Sequence, residues 1–370
     1  MNTIVSKSKL PADWEVVRLG KIARIQTGEK DVNEGNPSGA YPFFTCSKEI
    51  TYSDTYSFDT EAILIAGNGE VGDTKYYNGK FEAYQRTYVL DKFIKNTRYL
   101  YYFIAGQIKR KLALAKSGST MPYIRKGDLQ NFEVLMPLDK AEQQNIVYVL
   151  DTIQGAIGVQ EKLIEKTNEL KRAMMAKLFR EGTQRKSKFK NQNSKLRLKI
   201  KNLSVIADIK YGRAKPKTTG DIPIIGSGGV YAYTDKPLVQ KPTIVIGRKG
   251  TAGMVHLMLK PCWPSDTTFY LDLDLDLVDP KYLYEFLNMQ IISGEEAKTT
   301  LPSLKRETLE SIGVILPSLD EQREIAEILQ TIDQKIEIEQ KKKALYEELF
   351  RAMLEKLMTA EIRVKDIEFE

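Results

Sequence analysis

Residues 143–178 align without a gap on residues 322–357, with 14 identities in 36 positions. They include Leu150/Leu329, Thr152/Thr331, Ile153/Ile332 and the run Arg172-Ala173-Met174 against Arg351-Ala352-Met353. The match extends upstream, where Thr120-Met121-Pro122 through Val134-Leu135-Met136-Pro137 pairs with Thr300-Leu301-Pro302 through Val314-Ile315-Leu316-Pro317. Farther back, Tyr41-Pro42-Phe43-Phe44 pairs with Ile222-Pro223-Ile224-Ile225, and Ile63-Leu64-Ile65 with Ile244-Val245-Ile246. A period near 180 residues is too long for a solenoid unit, so a whole domain with its helix is duplicated. The chain must fold as two like halves.

Each half begins with a mixed segment of short apolar runs, such as Ala62–Ala66 and Thr243–Ile246, separated by Gly, Asn, Asp and Pro turn signals. Trp14–Leu19 reads as a strand or turn entry and Arg98–Lys116 as a helix, which makes the fold class α+β. The predicted organisation is a first head over 1–137, a long helix over 138–182, a basic linker over 183–201, a second head over 202–317, a second long helix over 318–358 and a tail over 359–370. The linker carries Arg185, Lys186, Lys188, Lys190, Lys195, Arg197, Lys199 and Lys201; a solvated connector is its plain reading, and phosphate contact the alternative.

Apolar residues in the helices step by alternating four and three, the spacing of a heptad seam. In the first helix the seam runs through Ile146, Leu150, Ile153, Ile157, Met174 and Leu178, with Gln160, Ile164, Thr167 and Lys171 between. In the second it runs through Ile325, Leu329, Ile332, Ile336, Phe350, Met353 and Leu357, with Glu339, Lys343 and Tyr346 between. A lone helix would leave that stripe in water, so the two helices are expected to pack as an antiparallel coiled coil related by a pseudo-twofold internal repeat. The simpler alternative is that each helix packs on its own head.

At 370 residues with 42% hydrophobic content, each head can bury a core. Lys and Arg number 56 against 49 Asp and Glu, a net charge of +7 that favours a polyanionic partner without proving one. The two cysteines, Cys46 and Cys262, lie in different copies and read as reduced, buried thiols. There is no signal-peptide core and no run of 18 apolar residues, which predicts a cytoplasmic protein with no membrane partner.

Catalytic chemistry is hard to build from these residues. Gly67-Asn68-Gly69-Glu70-Val71-Gly72 spells a cofactor-loop pattern, but its duplicate is Arg248-Lys249-Gly250-Thr251-Ala252-Gly253, so a tight turn between strands is the better reading. The single histidine, His256, reads as a strand residue and leaves no His-based triad or metal cluster. Asp272, Asp274 and Asp276 alternate with Leu271, Leu273, Leu275 and Leu277 as in a half-exposed strand, a metal site being the lesser reading. No Pro-Pro dipeptide occurs, so the short motif with which amino-methyltransferases hold a flipped base is absent.

Binding remains. Polar and basic turn residues fall at matched positions: Ser47 and Lys48 against Gly228 and Gly229, Asn68 against Lys249, and Gln85 and Arg86 against Asp266 and Thr267. With Lys75, Arg213, Lys215, Lys217, Ser227 and Arg248 beside them, they form the candidate DNA-contacting set. Arg and Lys suit guanine edges, Gln and Asn suit adenine, and loop amides suit phosphates. Each residue taken singly could be an ordinary surface loop. The frames agree while the loop identities differ, as expected of two readers of different sequences.

The chain resembles the specificity subunit of type I restriction-modification systems. The resemblance rests on Leu10-Pro11-Ala12-Asp13-Trp14 with Leu19-Gly20-Lys21-Ile22-Ala23, and on the junctions Leu135-Met136-Pro137-Leu138 and Leu316-Pro317-Ser318-Leu319. It rests also on Glu142-Gln143-Gln144 and Glu321-Gln322-Arg323, and on Leu170–Met174 and Leu349–Met353. The second copy lacks the Trp-containing entry and is read as starting at Asn202. The resemblance implies two target-recognition domains, each reading half of an asymmetric bipartite site on double-stranded DNA. It implies assembly with two methyltransferase subunits, which hold S-adenosylmethionine, and with two motor-nuclease subunits in a full restriction complex. This chain would bind no cofactor and catalyse nothing. A methylation-only adaptor, a coiled-coil scaffold with protein-binding heads and a lone DNA enzyme remain as alternatives.

Overall fold

A computed structural model describes residues 10–114, 123–182, 199–293 and 304–367. The chain forms two units, one of Met1–Glu161 with Lys342–Glu370 and one of Lys162–Lys341. The division falls inside both long helices, not at the junctions between head and helix.

The first half runs β1 (Trp14–Arg18), α1 (Leu19–Ile22), β2 (Arg24–Thr27), β3 (Tyr41–Phe44), β4 (Thr51–Ser53), β5 (Phe58–Ala66), β6 (Thr74–Ala83), β7 (Thr87–Asp91), α2 (Thr97–Leu114), α3 (Lys126–Gln130), β8 (Glu133–Pro137) and α4 (Lys140–Glu181). The second runs β9 (Lys199–Asn202), α5 (Leu203–Ile206), β10 (Ala207–Tyr211), β11 (Ile222–Gly226), β12 (Gly229–Thr234), β13 (Thr243–Gly247), β14 (Val255–Met258), β15 (Trp263–Pro264), β16 (Thr268–Leu273), α6 (Pro280–Ser293), α7 (Arg306–Glu310), β17 (Gly313–Leu316) and α8 (Leu319–Met358).

In the first head, six strands form one sheet in the order β2-β7-β5-β6-β3-β4. β5 reads apolar without alternation because both its faces are covered: Ile63 and Ile65 join the cluster with Tyr99, Leu100 and Phe103 of α2, while Ala62 and Leu64 join Phe44, Phe81 and Val89. The second head repeats this, with Ile244 and Ile246 facing Tyr282, Leu283 and Phe286 and Val245 facing Ile225 and Cys262. Each such aliphatic side chain contributes about 1.5–3 kcal/mol by leaving water. The sheets differ at one point. The long β6 is matched by two short strands, β14 and β15, so the second head carries a four-stranded sheet β10-β16-β13-β14 and a three-stranded sheet β12-β11-β15. Pro261 lies in the interruption, where it has no N–H to give a ladder.

Each head enters its helix through a buried tyrosine and a glutamine. Tyr99 Oη donates to Leu135 O at 2.8 Å and Tyr282 Oη to Ile315 O at 2.6 Å. Gln143 Nε2 donates to Pro137 O at 2.8 Å, and Gln322 Nε2 to Pro317 O at 3.0 Å. The repeated Leu/Ile–Pro–Gln spacing therefore satisfies buried carbonyls that a lone helix start would leave bare.

The two helices run antiparallel within each unit. In the first, Glu161 of α4 meets Lys343 of α8 at 2.9 Å, and Asn145 Nδ2 donates to Val364 O and Ile367 O beyond the end of α8. In the second, Lys171 meets Asp333 at 2.7 Å, while Leu178 shares a cluster with Ile325 and Leu329. The predicted seam is buried or half-buried throughout. Ile146 and Leu150 join the first head's core with Leu357, and Phe350 and Met353 pack against it. Ile153, Ile157 and Ile336 are also buried; Met174 and Ile332 pack against the second core. Pairing and packing on the head are thus not alternatives: one stripe does both.

Two expectations need correction. β9 pairs with β17 as β1 pairs with β8, so the second head starts by Lys199, inside the span read as linker. Residues 183–198 of that linker lie outside the described residues. The Leu/Asp alternation ends its strand at Leu273; Asp274 instead makes a turn, its Oδ1 accepting from Asp276 N at 3.1 Å, and Asp272 is held by Lys210 and Lys241.

Candidate nucleic-acid interface

Three loops meet at one end of the first head: the turn after β3, the glycine loop after β5 and the tip between β6 and β7. Gly67 N donates to Arg86 O at 3.0 Å, Glu70 N to Cys46 O at 3.1 Å and Tyr84 N to Phe44 O at 3.0 Å. The buried Cys46 Sγ also donates to Arg86 O at 3.3 Å. Gly69 and Gly72 have φ of 57° and 79°, the left-handed backbone that glycine takes without penalty, so the glycine pattern is a turn between strands.

The second head builds the same junction from different groups. Arg248 N donates to Thr267 O at 2.8 Å and Ser265 N to Ile225 O at 2.8 Å. Ser227 Oγ takes the place of the thiol, donating to Thr267 O at 2.7 Å. Gly250 and Gly253 have φ of 77° and 84°. Lys75 and His256 occupy one register position, paired across the ladder with the equivalent residues Leu64 of β5 and Val245 of β13. Both brace the loop alongside: Lys75 Nζ donates to Ser47 O at 2.7 Å, and His256 Nε2 lies 3.1 Å from Ser227 O.

On these frames the candidate side chains take distinct places. Ser47, Lys48, Gln85 and Arg86 are exposed and Asn68 half-buried on the three loops of the first head, and Lys75 is half-buried at the start of β6 beside them. Lys48 is 3.9 Å from Glu70, and Lys75 is also tied to Asp73 at 2.6 Å. In the second head Lys249 is exposed and Thr267 half-buried on the matching loops, and Arg213 joins them through a bridge to Ser265. Arg248 Nη2 donates to Asp266 O at 2.8 Å, and its guanidinium lies 5.3 Å from the Tyr211 ring. Lys215 is 6.0 Å from the exposed Tyr231 ring. Lys217 is exposed on the segment leading to β11, and among the described residues no bond ties it to the loops. Ser227 is the correction. Its side chain is buried and pins the tip, so the frame and not the surface is its place.

Sequence reasoning passed over Asp31, whose carboxylate accepts from Gln85 Nε2 at 3.1 Å. It also passed over the framing role of Cys46 and His256, which shows only when the two copies are superposed on strand register. Burial pushes the Cys262 thiol up to about 12, in keeping with a core residue. The arrangement offers exposed cations together with amides and carboxylates, among them Asp31 and Asp266, on two matched tips. These are means of reading a polyanion's edges, with no nucleophile or acid–base pair among them.

Comparison with known proteins agrees. Residues 11–170 and 187–348 each match the type I restriction modification DNA specificity domain. The chain is 30% identical over 364 residues to the type I restriction enzyme EcoDI specificity subunit of Escherichia coli, covering 87% of this chain and 81% of that one. It is 25% identical over 417 residues to the MjaVIII specificity subunit of Methanocaldococcus jannaschii, covering 98% and 96%. The crystal structure of the type I restriction-modification S subunit from M. genitalium superposes with a TM-score of 0.66 at 21% identity, covering 93% of this chain and 96% of that one, which shows the shared fold. With two matched domains spanning most of its length, the chain belongs to the type I restriction-modification DNA specificity family, as a subunit that recognises DNA and is not itself the catalyst.

Proposed function

We propose that each head reads one half of an asymmetric, two-part site on double-stranded DNA, and that α4 and α8 dock two methyltransferase subunits. S-adenosylmethionine would then be bound by those partners, with no cofactor on this chain, and a full restriction complex would add two motor-nuclease subunits in the cytoplasm. Among the described residues no helix is long and apolar enough to cross a membrane. The observation that carries the reading is the pair of matched loop junctions, equal in backbone and unequal in exposed side chains. Phosphate contacts to loop amides and lysines set position, and the tip side chains read base edges.

The unread spacer follows from the helices. α4 has 42 residues and α8 has 40, roughly 60 Å each at 1.5 Å per residue, against about 34–36 Å for a turn of B-DNA. Four residues inserted into α4 should lengthen the spacer by nearly two base pairs, about 6 Å, with both half-sites unchanged. The experiment is genome-wide adenine-methylation mapping with and without this chain. A gapped motif that vanishes on deletion supports the reading; methylation that is unaffected, or a motif without a gap, overturns it.

A further inference from the structure

We infer that Gln85 and Asp266 are equivalent base-reading acceptors, each taking an exocyclic amino group of a base in the major groove. This deepens the proposed function and rests on it. The two residues sit at the same place, bracketed by the same bonds. On one side Tyr84 N bonds Phe44 O and Ser265 N bonds Ile225 O; on the other, the carbonyls of Arg86 and Thr267 are held by the glycine loop and by Cys46 or Ser227. Both side chains are exposed at the tip.

Their chemistry converges despite the different residue types. One of the two Gln85 Nε2 hydrogens is engaged by the Asp31 carboxylate, which can only accept when ionised, and this leaves Oε1 to accept from outside. The second Nε2 hydrogen is not taken by that bond, so the two-bond contact that a glutamine can make to adenine stays open and includes acceptance by Oε1 from adenine N6. Asp266 offers a carboxylate, and among the described residues no cation bonds it; the bond from Arg248 goes to its backbone oxygen. It lines an open cleft of about 480 Å³ with Gly226, Gly228, Gly229, Tyr231 and Thr267. A Cβ at Gly228, which lines the same cleft, would meet only Thr251 Oγ1 at 3.9 Å, so that wall of the cleft is open. A bare carboxylate facing DNA is repelled by phosphates unless a base donates to it, and the amino groups of cytosine (N4) and adenine (N6) are the donors on the major-groove edge. The nearby Arg213 and Lys249 lower the cost of bringing it there.

The test uses the chain co-expressed with its methyltransferase subunits and reads the methylated motif genome-wide. Asp266→Ala should relax one position of one half-site, with roughly tenfold or greater loss of preference there, leaving the other half-site and the spacer intact. Asp266→Asn keeps an acceptor oxygen and should keep the motif. Asp266→Lys presents donors and should turn the preference at that position from amino-bearing to keto-bearing bases. Gln85→Leu should relax one position of the opposite half-site. The wild-type motif in Asp266→Ala and Gln85→Leu, or relaxation in both half-sites from one substitution, would overturn the inference while the gapped wild-type motif left the proposed function standing. Loss of all methylation by Asp266→Ala and Asp266→Asn alike, with thermal melting unchanged, would also overturn it by assigning the residue to assembly.

Discussion

In the first head a thiol holds the tip carbonyl of Arg86 and a lysine braces the loop after β3. In the second a hydroxyl and an imidazole make the same two contacts with Thr267 and Ser227. The backbone bonds around them agree in partner and nearly in length, although one head keeps β6 whole and the other breaks it at Pro261. The comparison separates two kinds of residue. Those whose side chains reach inward to a carbonyl can be exchanged for any donor of similar reach, because the acceptor is fixed by the fold. Those at the tips are held through their backbone, by main-chain bonds and by the inward thiol or hydroxyl, which leaves most of their side-chain chemistry free to differ between the heads.

The sharpest way to break this equivalence is in the cores. Ile63 and Ile244 are both fully buried, and truncating either to alanine should cost about 2–5 kcal/mol in urea unfolding. Unequal losses, with one variant nearly neutral, would show that the heads do not share a core plan. Next come the buried tyrosines. Tyr99→Phe and Tyr282→Phe each leave a strand carbonyl without its donor, so each should lose about 1–3 kcal/mol by the same measurement. The glycine turns should differ. Gly250→Ala meets no neighbour and should cost only the left-handed backbone penalty, about 1–2 kcal/mol, whereas Gly69→Ala also approaches Cys46 O at 3.1 Å and should cost more.

The smallest expected effect distinguishes the two ionic clusters by pH. Arg363 forks between Asp13 and Glu142 at 2.6 Å each, and its hydrogen bond holds the Asp13 carboxyl below 3.8. Glu285, beside Lys171 at 2.9 Å, is pushed above 4.5 by burial, which outweighs the ammonium. The signs are opposite. Asp13's contribution is present above the ordinary carboxylate value and lost as pH falls through its depressed one. Glu285's is present below its ordinary value and lost as pH rises through its elevated one. Carboxyl chemical-shift titration should find Glu285 taking its proton at higher pH than Asp13; the reverse order would remove the contrast.

Much of this was legible in the chain. The duplication and the heptad stripe foretold two heads and two paired helices, because both are long-range regularities that survive local noise. The start of the second head was not, since Lys199-Ile200-Lys201 reads as the end of a basic run and its partner Gly313–Leu316 is reached through main-chain bonds that leave no pattern. The leucine–aspartate alternation misled because a turn at Asp274 preserves the period of two after the ladder stops. At the site, matched loop positions were visible, but burial was not. Ser227 reads like any loop serine until its hydroxyl is seen closing on Thr267 O.

Because the tips are fixed through backbone carbonyls and amides, residues other than proline at positions 85, 86 and 266 should leave the fold beneath undisturbed. If those positions read DNA as proposed, retargeting carries little penalty in folding, and a lineage or an engineer could explore new addresses by point change within one half while the other stays constant.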